Sequence, residues 1–313
     1  MDEFETAEIW LDAPGDALQA KRAAAGPGKI MDIVRPDCQT SPIIFNSPHS
    51  GADYHPEFVA RSALDEATLR RSEDAFVDEL FAHATRVGAP LVRALFPRAY
   101  LDVNREAFEL DPAMFAEPLP AHVNTRSMRV AGGLGTIARV VSDGKPIYRD
   151  KLSFAEAAAR IEAYYRPYHA ALEQLLARTH RQFGCALLID CHSMPSQSVY
   201  AVGKDGRKPE IILGDRYGTS CSGEITAIIS EILTGLGYVV VHNNPYAGGF
   251  ITDHYGRPQL KQHAVQIEIN RALYMDEDRI LKHRGFARLQ RHLSQMIGEL
   301  SHKIAPDTLL SLA

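Results

Sequence analysis

The sequence is poor in cysteine, and its cysteines follow no ligand or disulfide pattern. The four cysteines in 313 residues are Cys38, Cys185, Cys191 and Cys221. No two of them form a CxxC pair, which argues against a zinc site built from thiolates. Four isolated cysteines also do not resemble a disulfide framework, so we expect free thiols in a reducing compartment.

The chain also lacks an excess of positive charge and any long apolar run. Its formal net charge is −5, which argues against a nucleic-acid partner but is compatible with a small anionic substrate held by local arginines. No apolar run approaches the ~20 residues that span a bilayer. The N-terminus, MDEFETAEIW, is acidic and has no signal-peptide pattern. These absences predict a cytoplasmic protein with no membrane partner.

No glycine-rich phosphate loop is present. The pair Gly248-Gly249 does not have the GxGxxG or GK[ST] spacing, so the sequence predicts no nucleotide site. With 45% hydrophobic and 23% charged residues, the composition is that of a soluble globular protein. A chain of this length can bury about 75% of its unfolded surface, which is enough for a large core.

Short apolar runs alternate with longer amphipathic segments from about residue 41 onward. The runs are rich in β-branched residues and predict strands at Ile43–Phe45, Leu91–Phe96, Ala99–Val103, Ala186–Ile189, Ile211–Leu213, Tyr238–Val241 and Val265–Ile269. Apolar residues recurring every three or four positions predict helices within Asp65–Val87, Ser153–Phe183, Ser222–Leu236 and Asp276–Ile304. The alternation predicts an α/β domain with helices on both sheet faces.

The domain organisation follows from the absence of a clear linker after residue 41. We expect one domain over residues 41–313, with residues 1–40 as an N-terminal extension packed on it. Residues 111–151 have no clear period and include a glycine-rich stretch, AGGLG. A segment this long without regular structure is typical of a functional loop over a site. The sequence does not determine the oligomeric state.

Polar residues follow the predicted strands at five places. The ligand crevice of an α/β sheet lies at the carboxyl ends of its strands, so we expect these residues to meet at one site. Their sequences are Asn46-Ser47-Pro48-His49-Ser50-Gly51, Asn104-Arg105 (after the run Tyr100-Leu101-Asp102-Val103), Asp190-Cys191-His192-Ser193, His242-Asn243-Asn244-Pro245 and Glu268-Ile269-Asn270. The last three lie in the C-terminal half of the chain.

Two strand-end histidines, His49 and His192, are candidate zinc ligands. A catalytic zinc site needs a third protein ligand, for which Asp74 and Asp53 are both candidates. Asp190 lies two residues before His192, on the same side of a strand, and could orient its imidazole. The alternative is that each histidine only caps its strand by a hydrogen bond.

Glu268 is a carboxylate inside a β-branched run. Such a group is costly to bury unless it is paired or functional, and a general base beside an activated water molecule would explain it. Gln266, Glu268 and Asn270 share one strand face, so a half-exposed strand with a polar outer face is the alternative.

Four arginines are candidates for holding a substrate carboxylate, because a planar guanidinium binds a carboxylate in a two-pronged way. They are Arg98, Arg105, Arg149 and Arg257. The glycine-rich segment 248–256, which contains His254, is expected to form a binding loop.

The ordered set of motifs resembles the N-formylglutamate amidohydrolases, also called N-formylglutamate deformylases. The resemblance extends from about residue 41 to 300 and does not cover the first 30 or so residues. Its motifs are Ser47-Pro48-His49-Ser50-Gly51, residues 74–80, Arg98 with Leu101-Asp102-Val103-Asn104-Arg105, Ile189-Asp190-Cys191-His192-Ser193, Gly248-Gly249-Phe250-Ile251-Thr252, His254-Tyr255-Gly256 and Gln266-Ile267-Glu268.

The resemblance implies a three-layer α/β/α fold with a mixed central sheet, related to the zinc carboxypeptidases and aspartoacylases (a zinc-carboxypeptidase-like, phosphorylase/hydrolase-like fold). It implies one zinc ion per chain, held by His49 and His192. The relatives place a carboxylate ligand three residues after the first histidine, where this sequence has Ala52. Asp74 then fits the pattern better than Asp53 does. Glu268 matches the late glutamate that acts as general base and acid.

The function implied by the resemblance is hydrolysis of N-formyl-L-glutamate to formate and L-glutamate, a last step of histidine catabolism. Zinc-activated water attacks the formyl carbon, and Arg105 helps to stabilise the oxyanion. The implied substrate-binding residues are Arg98, Asn104, Arg149, Thr252, His254 and Tyr255. The alternatives are a zinc hydrolase of another N-acyl amino acid and a non-catalytic anion-binding protein of the same fold.

Overall fold

A seven-stranded mixed sheet forms the centre of the protein. The structure, a computed structural model, describes residues 28–141, 144–200 and 206–311. The strands are β1 (Met31–Val34), β2 (Ile43–Ser47), β3 (Leu91–Ala94), β4 (Ala186–Met194), β5 (Ile211–Gly214), β6 (Val240–His242) and β7 (Gln262–Asn270). They lie in the order β1-β3-β2-β4-β7-β5-β6. The pairs β1–β3 and β5–β7 are antiparallel and the others are parallel, which confirms the predicted mixed sheet.

Helices and short turns connect these strands. The α-helices are α1 (Pro56–Arg61), α2 (Glu66–Leu69), α3 (Val77–Leu80), α4 (Met128–Ala131), α5 (Phe154–Arg160), α6 (Arg166–Phe183), α7 (Gly223–Gly235), α8 (Phe250–Tyr255), α9 (Gly285–Lys303) and α10 (Pro306–Ser311). A π-helical turn, Ile161–Tyr165, joins α5 to α6. Single 3-10 segments lie at Arg70–Ser72, Ala82–Val87, Pro112–Met114, Ser196–Ser198, Pro258–Leu260 and Arg271–Leu273. A separate two-stranded ribbon pairs β8 (Met275–Asp276) with β9 (Leu281–Lys282).

The two faces of the sheet pack against different helices, because successive side chains of a strand point to opposite faces. On β4, Leu187 and Ile189 belong to a core cluster that includes Ile229 of α7 and Leu293 of α9. Leu188, between them, belongs to a second cluster with residues of α6 such as Leu172 and with Ile251 of α8. The protein therefore has three layers, as expected. No helix within the described ranges is both long enough and apolar enough to cross a bilayer.

Two predictions, one of a strand and one of a helix, are wrong in the segments that lead into the site. Residues 99–103 form turns rather than a strand, because Tyr100 N donates to Pro97 O and Asp102 N donates to Thr136 O instead of to a neighbouring strand. The helix predicted over Asp65–Val87 is broken near residue 74, where Asp74 N donates to His49 O at 3.0 Å. These interruptions bring Asp74 and Asp102 to the end of β2.

The other helix predictions differ mainly at their ends. The helix predicted over Asp276–Ile304 begins only at Gly285, because the residues before it form the β8–β9 ribbon. The segment Ser153–Phe183 is helical almost throughout, as expected. Residues 111–151, as far as they are described, contain only α4 and one 3-10 turn as helices, and isolated bridges join the segment to its surroundings.

The part of the N-terminal extension that is described contributes an edge strand. β1 pairs with β3, and residues 1–27 lie outside the described residues. Asp32 of β1 faces Arg93 of β3, whose guanidinium also contacts Asp78 of α3, with N–O distances of 3.0 and 3.1 Å. The extension is thus tied to the sheet by a partly buried ion pair, while the boundary at residue 41 stays a prediction.

We expect Arg93→Met to lower the free energy of unfolding by about 3–5 kcal/mol, because it leaves the buried Asp78 carboxylate without its cation. Urea denaturation followed by circular dichroism measures this loss. Arg61→Met is the matched control, since Arg61 is 52% exposed in its pair with Glu156 and should cost no more than about 1 kcal/mol. Equal losses in the two variants would contradict the prediction.

Candidate active site and metal centre

Three buried side chains, His49, Asp74 and His192, meet at the carboxyl ends of β2 and β4. The Oδ2 atom of Asp74 lies 3.3 Å from Nδ1 of His49 and 3.0 Å from Nδ1 of His192. One potential ligand atom from each residue lies within 4.8 Å of the other two. Asp53, the alternative third ligand, is exposed and does not belong to this group. The structure therefore brings Asp74, rather than Asp53, to the two histidines.

The turn after β2 holds His49 beside Asp74. A Cβ atom added to Gly51 would lie 2.1 Å from the carbonyl oxygen of Phe96, so only glycine allows this close approach of the two backbones. The hydroxyl of Ser50 donates to the Asp74 carbonyl at 3.1 Å. The Ser47–Gly51 motif thus supplies a candidate metal ligand, His49, and also the glycine that the tight backbone geometry requires.

Each histidine is oriented by a carboxylate on its outer nitrogen. His49 Nε2 lies 2.7 Å from Oδ1 of Asp102, and His192 Nε2 lies 2.8 Å from Oδ2 of Asp190. With a proton held on each Nε2, the lone pair of each Nδ1 would face Asp74 and could bind a metal ion. Without the ion, a protonated Nδ1 donates a hydrogen bond to Asp74 instead. This carboxylate–histidine arrangement is typical of protein metal sites, and two imidazoles with one carboxylate are a ligand set suited to zinc. The residues present therefore fit a divalent metal ion.

Charge within the cluster favours the ionised carboxylates that such a site requires. Burial raises the pKa of Asp74, but hydrogen bonds from His192 and His49 and the charge of Arg98 outweigh it and hold that pKa well below its usual range. The pKa of Asp102 is also well below its usual range, because Arg105, His49 and Arg98 outweigh the effect of burial. Both carboxylates are thus ionised at neutral pH.

Glu268 lies directly across from His192 in the parallel pair of β4 and β7, on the same face of the sheet. It is only 7% exposed, which contradicts the alternative of a half-exposed strand with a polar outer face. Gln266 donates to its Oε1 at 2.8 Å, whereas its buried Oε2 has no hydrogen-bond partner in the described chain. Burial, with repulsion from Asp74, raises the pKa of Glu268 to about 7 against the opposing charges of His192 and two arginines.

A cavity of about 390 Å³ opens in front of these groups, within the range of small-molecule sites. It is lined by His49, His192, Glu268 and, among the predicted binding residues, Arg98, Asn104 and Arg105. Asp102 joins the two arginines to the histidine cluster, because its Oδ2 lies 2.8 Å from Arg98 Nη2 and 3.4 Å from Arg105 Nη2. The structure thus brings most of the predicted site residues together.

Four predicted binding residues do not line this cavity. Arg149 is exposed, and His254 is exposed with its ring stacked on Phe250. Thr252 is buried and donates to Gly249 O, and the Tyr255 hydroxyl contacts His169 Nδ1 at 2.8 Å. The side chains from α8 point away because a helix presents only one of its faces to the sheet edge. Arg257 likewise donates to backbone carbonyls of its own loop.

The glycine pair before α8 serves close packing. Asn104 accepts a hydrogen bond from Ile251 N at 2.8 Å, and a Cβ atom on Gly249 would lie 2.3 Å from the Asn104 amide. Gly249 N in turn donates to Gln266 Oε1 at 2.9 Å. The loop therefore helps to hold Asn104 and Gln266 in the site.

Sequence reasoning did not assign several residues that the structure places at the site. Asp102 follows no observed strand, although it lies within a motif that the sequence singled out. Arg271 comes directly after β7 and donates to Asp74 Oδ1 at 3.1 Å. Arg71 and Arg129 also line the cavity. Arg271 could have been found from its strand-end position, whereas no local pattern marks Arg71 or Arg129.

The comparison with known families agrees with this geometry. Residues 41–275 match the model of a family described as N-formylglutamate amidohydrolase. The chain belongs to that family. Family membership confirms the predicted resemblance and the prediction of an enzyme that hydrolyses a linear amide. The matched segment contains Glu268 and the three candidate metal ligands His49, Asp74 and His192, which are called the donor group below.

Individual members of the N-formylglutamate amidohydrolase family are similar to this chain over most of their length. The N-formylglutamate deformylase of Pseudomonas aeruginosa is 31% identical over 239 residues, 75% of this chain and 83% of that protein. That of Pseudomonas putida is 32% identical over 243 residues, 75% of this chain and 82% of that protein. The crystal structure of N-formylglutamate amidohydrolase from Ralstonia eutropha JMP134 is 34% identical, with a TM-score of 0.82 over 88% of this chain and 98% of that chain. A solved structure from Agrobacterium tumefaciens, 19% identical with a TM-score of 0.59 over 88% of this chain and 96% of that chain, shares the fold.

Proposed function

We propose that the protein hydrolyses the formyl amide of N-formyl-L-glutamate to formate and L-glutamate, with one zinc ion held by His49, Asp74 and His192. The observation that carries this proposal is the donor group next to the buried Glu268 carboxylate in an arginine-lined cavity. The names of the relatives support the choice of substrate. A role in histidine catabolism and a cytoplasmic location remain predictions.

In this mechanism a bound zinc ion supplies a Lewis acid that polarises the formyl carbonyl and makes a water molecule acidic. Glu268 accepts the proton of the attacking water on Oε2, the oxygen without a hydrogen-bond partner. The water oxygen bonds to the formyl carbon, and Glu268 returns the proton to the amide nitrogen as the carbon–nitrogen bond breaks.

The remaining residues orient the substrate and stabilise charge. Arg105 is held by bonds from its guanidinium to Leu134 O and Asn104 O, both at 2.7 Å, and stabilises the negative charge that develops on the formyl oxygen. Arg98 and the other arginines of the cavity attract the two substrate carboxylates. Asp102 keeps Arg98 and Arg105 in place while it orients His49.

The experiment is formate release from N-formyl-L-glutamate by zinc-loaded protein. We expect turnover in the ordinary range of about 1–10³ s⁻¹, its loss after chelation and its return when zinc is added back. A parallel panel of N-acetyl and N-succinyl amino acids tests the choice of acyl group. Turnover of one of these instead would replace the substrate, and a purified protein with neither metal nor turnover would favour the anion-binding alternative.

A further inference from the structure

The segment 111–151 provides one wall of the cavity, and that wall is mostly apolar. Its lining residues are Arg129, Leu134, Ala138 and Val140. Three aliphatic side chains with a single guanidinium form a surface that complements a short methylene chain ending in a carboxylate. The other described lining residues come from the sheet edge and from neighbouring loops.

Arg129 differs from Arg98, Arg105 and Arg271 in its unused hydrogen-bonding capacity. Arg98 donates to Asp102, Arg105 donates to two carbonyls, and Arg271 donates to Ser193 and Asp74. The guanidinium of Arg129 makes no hydrogen bond within the described ranges, and its contact with Glu109 is an ion pair at 3.9 Å. Its side chain is 38% exposed, so it is accessible to a ligand entering the cavity.

The backbone around Arg129 is nevertheless well held. Ser127 caps α4 by accepting from Val130 N at 3.0 Å, and its hydroxyl donates to Glu109. The Arg129 carbonyl accepts from Leu134 N at 2.8 Å, which fixes Arg129 relative to a second lining residue. A cation on a held backbone loses less freedom on binding an anion than one on a free loop.

The balance of charge also calls for an anionic ligand. Five arginines line the cavity, against the two lining carboxylates of Asp102 and Glu268 and the adjacent carboxylates of Asp74 and Glu109, which pair with Arg271 and Arg129. The charge of Arg129 also acts on Arg105. Burial lowers the pKa of Arg105, repulsion from Arg98 and Arg129 lowers it further, and the negative charge of Asp102 opposes these effects. A substrate with two carboxylates relieves that repulsion better than a substrate with one.

We propose that Arg129 is the specificity residue for the side-chain carboxylate of the substrate, with Leu134, Ala138 and Val140 packing against its methylene groups. This inference rests on the proposed function and names the residue that distinguishes a glutamyl side chain from a neutral one of equal size. The guanidinium offers two parallel N–H donors, which match a carboxylate and do not match a carboxamide.

The test compares N-formyl-L-glutamate with N-formyl-L-glutamine in the zinc-loaded wild type and in Arg129→Met. We expect the variant to lose about 10- to 100-fold in kcat/KM for the glutamate substrate, mainly through KM, and little for the glutamine substrate. Arg129→Lys should recover part of the preference, because it restores the charge without the two-pronged geometry. Arg126→Met is the matched control, since Arg126 is exposed on the same segment and does not line the cavity.

An unchanged ratio of kcat/KM between the glutamate and glutamine substrates in Arg129→Met would overturn the inference, whether both values fall equally or neither falls. Calorimetric titration with L-glutamate and with L-glutamine provides a readout that does not depend on turnover. Weaker binding of L-glutamate alone in the variant supports the assignment even if the wild type releases no formate, in which case only the proposed function fails. Unchanged binding of L-glutamate rejects the assignment of Arg129.

Discussion

We expect Glu268→Gln to lower kcat for formate release by about 10²- to 10⁴-fold, the usual contribution of a general base, and to leave zinc bound. The amide keeps the shape of the side chain and can keep the bond from Gln266, but it cannot accept a proton from water. Because Glu268 is not among the candidate metal ligands His49, Asp74 and His192, the metal content should not change. Stopped-assay formate detection and metal analysis on the same samples measure both quantities.

The control for this variant is Glu162→Gln, a change at an exposed glutamate that does not line the cavity. It should leave turnover and metal content at their wild-type values. Turnover by Glu268→Gln at the wild-type rate would remove Glu268 from the mechanism. Loss of metal from that variant would instead show that Glu268 contributes to the metal site.

We expect Asp74→Asn to lower the affinity for zinc by more than about 100-fold, beyond the 10- to 100-fold typical of residues that only orient a ligand. The carboxylate supplies the anionic donor between the two Nδ1 atoms, and an amide is a weaker ligand of similar size. Competition with a chromophoric chelator measures the affinity. Formate release should fall in parallel at limiting zinc.

Asp53→Asn is the matched control, because it makes the same chemical change four residues after His49 at an exposed position. We expect it to bind zinc and to release formate as the wild type does. The opposite result, with zinc lost from Asp53→Asn and retained by Asp74→Asn, would move the third ligand to Asp53.

The donor group and the arginines form one continuous network rather than two separate sites. Asp102 contacts His49 through Oδ1 and two arginines through Oδ2. Arg271 extends the network on the other side, because it donates to Asp74 and to Ser193. Buried charges are costly unless they are paired, which explains why each group in this network has a partner of opposite charge. The pairing also holds each group in a defined position before substrate enters.

The sequence alone predicted the strands best where they are buried. β2 and β4 begin with continuous apolar runs, which are followed by His49 and His192, whereas β7 alternates apolar and polar residues and carries Glu268 within it. Strand periodicity also predicted that Gln266 and Glu268 share a face, but not that other elements cover that face. The strand predicted at Ala99–Val103 failed because its backbone groups bond to a turn and to the segment 111–151.

The order of polar residues after buried strands indicated where the candidate site lies, but it offered His242 as well as His49 and His192. His242 is exposed and contacts the Ser230 hydroxyl at 3.0 Å instead of the site. Covalent neighbours of a strand end stay at that end in any fold that contains the strand, so this information is local. Only the tertiary structure decided that Asp74 joins the histidines rather than Asp53, and that Arg129 enters the cavity while Arg149, His254 and Tyr255 do not. Which of these side chains reach the site depends on the path of the loops between the helices and strands. The periodicity of side chains within a helix or strand does not determine that path.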